Sequence, residues 1–291
     1  MSKMNSPDHS WSAVNRTAHA VAVLRWLESR LHGADALIRD RCIPELLAGG
    51  DFDHTSFDGM EIPAAVGTDP EAVLRWLDAD PEHPAARRLM ININRLALRT
   101  AKIDALLEAF VAQADQLVII GAGLDTRAFN LEGAAALSVF EVDFPQVLAF
   151  KRERLGHLPL TCRARVEIAG DATAADFSDR LLAGGFEPEK PALWLMEGLL
   201  VYLSAAQIVD LNRQVRMLSA PGSRLIATFL GADAPLTFSR GMISRFDDAP
   251  AMLAQYGWRA QQVHYAEIAR EFGRSYPDNY DVYLAYTEPL G

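Results

Sequence analysis

Apolar positions along the chain fall into two regimes. From Thr17 to His32, TAHAVAVLRWLESRLH places Val21, Leu24, Leu27 and Leu31 at helical spacing with Arg25, Glu28 and Arg30 elsewhere, which predicts an amphipathic helix stopped by Gly33. Residues 49–70 are rich in Gly, Asp and Pro and read as a loop or cover. DPEAVLRWLDAD then reads as a short helix with Asp69 as N-cap and Pro70 in its first position. Residues 85–114 carry a long apolar stripe at helical period, so the first third of the chain is mostly helical. Beyond it come seven short β-rich runs: LVII (117–120), SVFEV (138–142), RVEIA (165–169), ALWLM (192–196), RLIATFL (224–230), QQVHY (261–265) and DVYLAYT (281–287). The first five are spaced for crossover helices, the signature of a parallel sheet covered on both faces. The last two lie closer together, which allows an antiparallel member.

Composition narrows the class. Of 291 residues half are apolar and 23% charged, ordinary for an ordered globular protein. A formal net charge of −10 opposes a nucleic-acid partner, whose phosphates require clustered Lys and Arg. Cys42 and Cys162 are far apart, with no CxxC and no nearby histidine pair; this fits a reducing compartment and argues against a structural zinc site. The first sixteen residues contain no apolar stretch suited to a signal peptide, and no window approaches ~18 uninterrupted apolar residues. The expectation is a cytoplasmic protein with no membrane partner and no metal.

In an open parallel sheet, ligands bind beyond the carboxyl ends of the strands. Gly121 and Gly123 in QLVIIGAGLDTRAF follow the first strand, where the missing Cβ allows a sharp turn and a close ligand; a plain strand-to-helix turn is the alternative. FEVDFP puts Asp143 twenty-two residues after Gly121, a separation that suits a carboxylate accepting both ribose hydroxyls. Asp171, in IAGDAT, is placed for the exocyclic amine of adenine or for ordinary turn duty. Glu197 leaves a fully apolar strand in LMEGLLVYLS and needs a cation, either a ligand or an arginine. Arg99 precedes the first strand and is suited to hold a ligand carboxylate, whereas Arg127 suits an intramolecular or solvent-facing pairing. A dinucleotide site expects a third glycine, yet Thr126 stands there, preceded by Asp125, an acid that would repel a pyrophosphate. A phosphate-free ligand with a positive centre removes the objection, and S-adenosylmethionine is one.

GAGLDTRAF, FEVDFPQVLAFKRERL and EGLLVYLS, in that order and spacing, resemble the leucine carboxyl methyltransferase family, which includes bacterial polyketide carboxyl O-methyltransferases; LRTAKID and YGW add weaker support. The likeness covers residues 90–260. It implies a class I methyltransferase fold: a Rossmann-like, seven-stranded, mostly parallel α/β sheet, with a helical N-terminal cap over residues 1–90, a core over 91–291 and an insertion at 231–260. It also implies that Gly121 and Gly123 line the methionine part of the donor, Asp143 binds the ribose, and Asp171 with Ala172 lies at the adenine. Glu197 would face the amino or sulfonium region, Arg99 and a basic position matched by Arg16 would bind the donor, and Tyr202 would sit near the reaction centre, where a packed core tyrosine is the alternative. Family members often carry Leu where this chain has Ala172.

Methyl transfer from sulfonium needs alignment and exclusion of water more than proton chemistry. An ionised carboxylate acceptor needs no base, matching the lack of an obvious His/Asp couple at the strand ends; a hydroxyl would need one, with His264 or Tyr202 as candidates. The favoured reading is O-methylation of a small-molecule carboxylate, a polyketide-type or other organic acid, to its methyl ester. A protein C-terminal carboxyl or a hydroxyl acceptor is the alternative, with a nicotinamide-dependent oxidoreductase or a non-catalytic donor-binding protein as rivals from other classes. Arg240 and Arg245, in TFSRGMISRF, are candidate anchors for the acid, though two arginines in a solvated loop give the same pattern. Arg240→Ala or Arg245→Ala is expected to raise the acceptor's KM more than the donor's in steady-state kinetics; unchanged acceptor kinetics sinks the anchor.

Overall fold

The computed structural model describes residues 13–48, 62–63, 65–67, 69–234, 242–278 and 280–291. All seven β-rich runs form strands, each within one residue of its predicted ends: β1 (Gln116–Ile120), β2 (Ser138–Asp143), β3 (Ala164–Ala169), β4 (Ala192–Met196), β5 (Arg224–Leu230), β6 (Ala260–His264) and β7 (Val282–Thr287). They make one sheet in the order β3-β2-β1-β4-β5-β7-β6. β1 to β5 pair in parallel, and β7 runs antiparallel to both β5 and β6. The order reverses between β1 and β4, so a crevice opens over their carboxyl ends.

Among the described residues four α-helices precede the sheet: α1 (Ala13–His32), α2 (Ile43–Leu47), α3 (Pro70–Ala79) and α4 (Pro84–Phe110). Six more alternate with its strands: α5 (Arg127–Asn130), α6 (Pro145–Leu155), α7 (Phe177–Ala183), α8 (Ala205–Met217), α9 (Ala249–Ala254) and α10 (Tyr265–Glu271). Along β1, Leu117 and Ile119 join one core cluster while Val118 and Ile120 join another, the two-residue alternation of a sheet buried on both faces. The first face packs against Ile103 and Leu107 of α4 and Ile268 of α10, the second against Leu181 of α7, Leu211 of α8 and Leu253 of α9.

The cap is built as the sequence indicates at α3, where the Asp69 side chain accepts from the N–H groups of Glu71 and Ala72 and Pro70 opens the helix. The Gly/Asp/Pro-rich stretch before it lies mostly outside the described residues. α4 is 27 residues long, about 40 Å of rod. Its first half, through Leu89, Ile93 and Leu96, shares a third cluster with Val23, Leu24 and Leu27 of α1 and Val73 and Leu77 of α3. Its second half belongs to the sheet core, so one helix runs unbroken through residue 90 and ties cap to core.

Two polar positions of α1 depart from the amphipathic reading: Arg25 is 9% exposed and Glu28 fully buried. The chain after α1 folds back against that side of the helix. Glu28 accepts from the backbone N–H groups of Leu37 at 2.8 Å and Ile38 at 3.1 Å. Arg274, from the far end of the chain, donates to Glu28 at 3.3 Å and to the Asp35 carbonyl at 2.7 Å, and lies on the His32 ring.

Two connections shape the crevice. Between β1 and β2 the crossover helix α5 is a single four-residue turn, shorter than a helix able to offer a row of free N–H groups. After β5, the segment from Met242 returns over the strand ends: Ile243 and Ser244 donate to the Val201 carbonyl at 2.8 and 3.1 Å, and Phe246 donates to that of Leu230 at 2.9 Å. No helix among the described residues is long and apolar enough to cross a membrane.

Leu107 is fully buried where α4 meets the sheet. Leu107→Ala is expected to lower unfolding free energy by about 2–5 kcal/mol in a urea titration, whereas Leu160→Ala, at a position 41% exposed, is expected to shift it by no more than about 0.5 kcal/mol.

Candidate functional site

The glycine turn has the geometry that only glycine adopts readily. Gly121 and Gly123 sit at φ +69° and +47°. A Cβ on Gly121 would lie 3.1 Å from Leu199 Cδ1, and one on Gly123 would touch Ala18 of α1 at 3.5 Å. The N–H groups of Gly121 and Ala122 are spent on the Val142 carbonyl of β2 at 2.9 and 3.1 Å, while that of Gly123 donates to Asp143 Oδ2 at 2.6 Å. Asp143 Oδ1 accepts from the Phe144 N–H at 2.7 Å. Asp143 thus fixes the loop from the end of β2, with each oxygen retaining lone-pair capacity for a further donor. Burial raises its pKa above the usual carboxylate range, although both N–H bonds and Lys151 oppose that shift.

Arg127 is the hub of the site. It is 6% exposed and binds three carboxylates from three elements: Asp104 of α4 at 2.6 Å, Glu197 after β4 at 2.7 Å, and Asp125 of the glycine loop. The intramolecular pairing considered for it is the one it makes. Burial alone would favour loss of its proton, but Asp104, Asp125 and Glu197 hold it charged. Glu197 accepts from Arg99 Nε on its other oxygen at 2.6 Å. Burial would raise its pKa, yet Arg127 and Arg99 together hold it near 2. Arg99, one helix turn beyond Arg95 on α4, and Glu197, after β4, are therefore partners of each other.

The pairing of Asp125 corrects one step of the sequence argument. Its charge is met by Arg127, and its Oδ1 accepts from the Arg127 N–H at 2.7 Å, so it does not project as a bare acid against a ligand. Thr126 is equally occupied. Its hydroxyl donates to Asp40 at 2.7 Å and accepts from Arg25 at 2.8 Å, and Arg25 also pairs with Asp40 and donates to the Leu124 carbonyl at 3.2 Å. Loop residues 124–126 are locked to the cap.

The remaining expected residues are spread along the crevice and beyond it. Asp171 is exposed after β3, and its Oδ1 accepts from the Thr173 N–H and hydroxyl, both at 2.8 Å, which is turn duty; Ala172 beside it is buried. Tyr202 ends a 3-10 turn (Leu200–Tyr202), packs against the core and faces Arg95. His264 closes β6 at the sheet edge, three strands from β4 and so roughly 14 Å away. There it meets Gln262 at 3.2 Å and Asp281 at 3.7 Å, outside the cluster. Arg245 is half-buried in the segment over β4 and β5; Arg240 and the side chain of Arg16 lie outside the described residues.

Beside the ion cluster, on the β5 side, lies a cavity of about 30 Å³ lined by Arg95, Arg99, Gly198, Thr228 and Tyr265 among apolar side chains. Sequence reasoning missed Asp104, Arg95, Arg25 and Asp40. For the first two a signal exists: Arg95, Arg99 and the IDALL segment share α4, and two arginines one turn apart inside an apolar stripe mark a buried cationic face. For Arg25 and Asp40 nothing in their local pattern marks the pairing.

A family model described as leucine carboxyl methyltransferase matches residues 18–216. A relative from Parafrankia sp., named as an S-adenosyl-L-methionine-dependent methyltransferase, is 38% identical over 62% of this chain, which spans 63% of that protein's length. A second of the same name, from Mycolicibacterium paratuberculosis, is 33% identical over 93% of this chain and 88% of its own. Among solved structures, a methyltransferase from Thermobifida fusca superposes with a TM-score of 0.52 at 16% identity, covering 86% of this chain and 94% of that one, a likeness of fold.

The cluster imposes a pH dependence. Glu197 titrates near 2 in the folded protein against an ordinary 4.5. A carboxylate whose folded value is depressed stabilises the fold above its unfolded value and loses that contribution as pH falls through the folded one. On the order of 3 kcal/mol is therefore expected to disappear between the ordinary 4.5 and about 2, read in urea titrations at stepped pH. Glu197→Gln is expected to flatten that part of the profile; an unaltered acid slope in the variant contradicts the assignment.

Proposed function

The chain belongs to the leucine carboxyl methyltransferase family and is an S-adenosylmethionine-dependent methyltransferase, and from that premise we propose that it converts a carboxylate into its methyl ester. The observation that carries the reading is the arrangement at the switch point: a glycine cradle after β1, Asp143 after β2 and Glu197 after β4, all facing one crevice. These residues fit the donor. Gly121 and Gly123 are assigned to its methionine part, Asp143 has capacity for the ribose hydroxyls, and Asp171 with Ala172 is assigned to the adenine. Glu197 is assigned to the amino or sulfonium end and Arg99, with Arg16, to the donor carboxylate. Three carboxylates around two guanidinium groups leave the cluster of Asp104, Asp125, Glu197, Arg99 and Arg127 one negative charge in excess, the sign that favours a cationic ligand.

Bound there, the donor supplies a methyl group activated by sulfonium, passed to a carboxylate oxygen as the carbon–sulfur bond breaks with its electron pair onto sulfur. The protein's part is to align and to exclude water. No proton has to leave the acceptor, and His264, three strands from β4, is poorly placed to remove one. This supports a carboxylate over a hydroxyl. The family's description names a leucine carboxyl group, which favours a terminal leucine carboxylate as acceptor over the polyketide-type acid expected from sequence.

The test is mass spectrometry of an acceptor panel incubated with enzyme and donor: peptides ending in free leucine, the same peptides as amides, and aromatic polyketide-type acids. A one-methylene mass gain confined to free acids, reversed by mild base as for an ester, is the expected result. Base-stable methylation, or no gain on any acid, overturns the reading.

A further inference from the structure

We propose that the cavity between α4 and the carboxyl ends of β4 and β5 receives the acceptor's carboxylate, with Arg95 as its anchor; this rests on the carboxyl-methylation reading above. The crevice divides at β4. Asp143 and the glycine loop lie over β1 and β2, where the ribose is assigned, and Glu197 ends that side. The cavity lies on the opposite side, over β5 and β7, between Arg95 and Arg99 on one wall and Phe229, Leu230 and Val282 on the other. An acceptor there would lie across Glu197 from the ribose side, and an in-line displacement would need its oxygen aligned with the breaking carbon–sulfur bond, opposite the sulfur.

The charges that line the cavity, among the described residues, are both positive. Arg99 is already engaged by Glu197 through Nε. Arg95 stands one turn earlier on α4, so an anion admitted to the cavity meets a guanidinium outside the Arg127 cluster. Burial lowers the pKa of Arg95, and the neighbouring charge of Arg99 acts the same way against the tyrosines Tyr276, Tyr265 and Tyr202 that favour its charged form. A carboxylate in the cavity would favour the charged form of both arginines that line it. Thr228 accepts from the Gly198 N–H at 2.7 Å, which leaves its own hydroxyl proton to donate into the space.

Size and polarity define the acceptor's end group. About 30 Å³ is room for about two waters, or for the two oxygens of one carboxylate. Val201 and Met242 complete an apolar lining, which suits an apolar group beside the carboxylate such as the isobutyl side chain of a terminal leucine or an aromatic ring. Met242 belongs to the segment pinned to Val201 and Leu230, which places that segment as the roof of the acceptor subsite. This position takes the anchoring task expected of Arg240 or Arg245 and gives it to a helix of the cap–core junction.

The experiment uses the full chain saturated with S-adenosylhomocysteine and titrated by calorimetry with 4-methylpentanoate and with phenylacetate, each beside its amide. The acids, and not the amides, are expected to bind the wild type. Arg95→Met is expected to weaken both acids roughly 10- to 100-fold, with Arg95→Lys in between and S-adenosylhomocysteine affinity unchanged. Met242→Trp, which fills the cavity and leaves Arg95 intact, is expected to lose the acids as well, so the result does not hang on one variant's folding. The proposal is overturned if neither acid binds the wild type, if Arg95→Met binds them unchanged, or if it weakens S-adenosylhomocysteine by the same factor, which would put Arg95 in the donor subsite. Ester formation by the same variants separates the two readings. Acids that bind through Arg95 but are never esterified leave the subsite standing and sink carboxyl methylation. Esters formed by Arg95→Met with unchanged kcat/KM do the reverse.

Discussion

One buried guanidinium holds the site together. Arg127 joins α4, the glycine loop and the end of β4 by charge-assisted bonds to Asp104, Asp125 and Glu197. A buried ion cluster of this kind is a poor source of net stability, because desolvation consumes much of the attraction. What it imposes is geometry. Without Arg127, the largely buried Asp125 would lose its ion-pair partner and Glu197 would keep only Arg99, so the three elements keep their relative positions or leave buried charge poorly compensated. Lys151, Glu141 and Arg165 repeat the device on the other side of β2, where Glu141 forms an ion pair with Lys151 at 2.8 Å and accepts from Arg165 at 2.7 Å with no exposure of its own. Asp143 lies two residues beyond Glu141 on the same strand.

The sequence was most legible where one short-range rule governs. Strands buried on both faces read as continuous apolar runs, as β1 and β4 do, and all seven β-rich runs stand in the sheet within a residue of where they begin and end. The Asp69–Pro70 helix start follows from a local cap and needs no tertiary context. Failures came where a second layer intervenes. Arg25 and Glu28 satisfy the polar side of an amphipathic pattern, but the pattern cannot say whether that side meets water or the returning chain. Asp125 and Thr126 were informative positions for another reason than the one their chemistry suggested, since their partners, Arg127, Arg25 and Asp40, come from one turn and from two remote elements.

The carboxylates of the site illustrate the same division. Asp143 and Glu197 could be placed at strand ends because a parallel sheet puts ligand groups there. That Glu197 would be shared between Arg99 and Arg127 is a property of the crossing of α4 over the sheet, which no spacing encodes. α4 enters both cores, so its middle turns, carrying Arg95, Arg99 and Asp104, lie where cap and sheet meet. Residues at such a junction are half-surrounded by each body, and charges can be kept there with apolar packing above and below.

The clamp on α1 has a consequence in the order of synthesis. Glu28 and His32 emerge long before Arg274, which pins them. Until that arginine arrives, α1 lacks one of the partners that hold it, and Ala18, the residue of α1 against the glycine turn, is carried on a helix not yet anchored at its far end. A growing chain can therefore assemble β1, β2 and their glycine loop well before the cover over them is fastened.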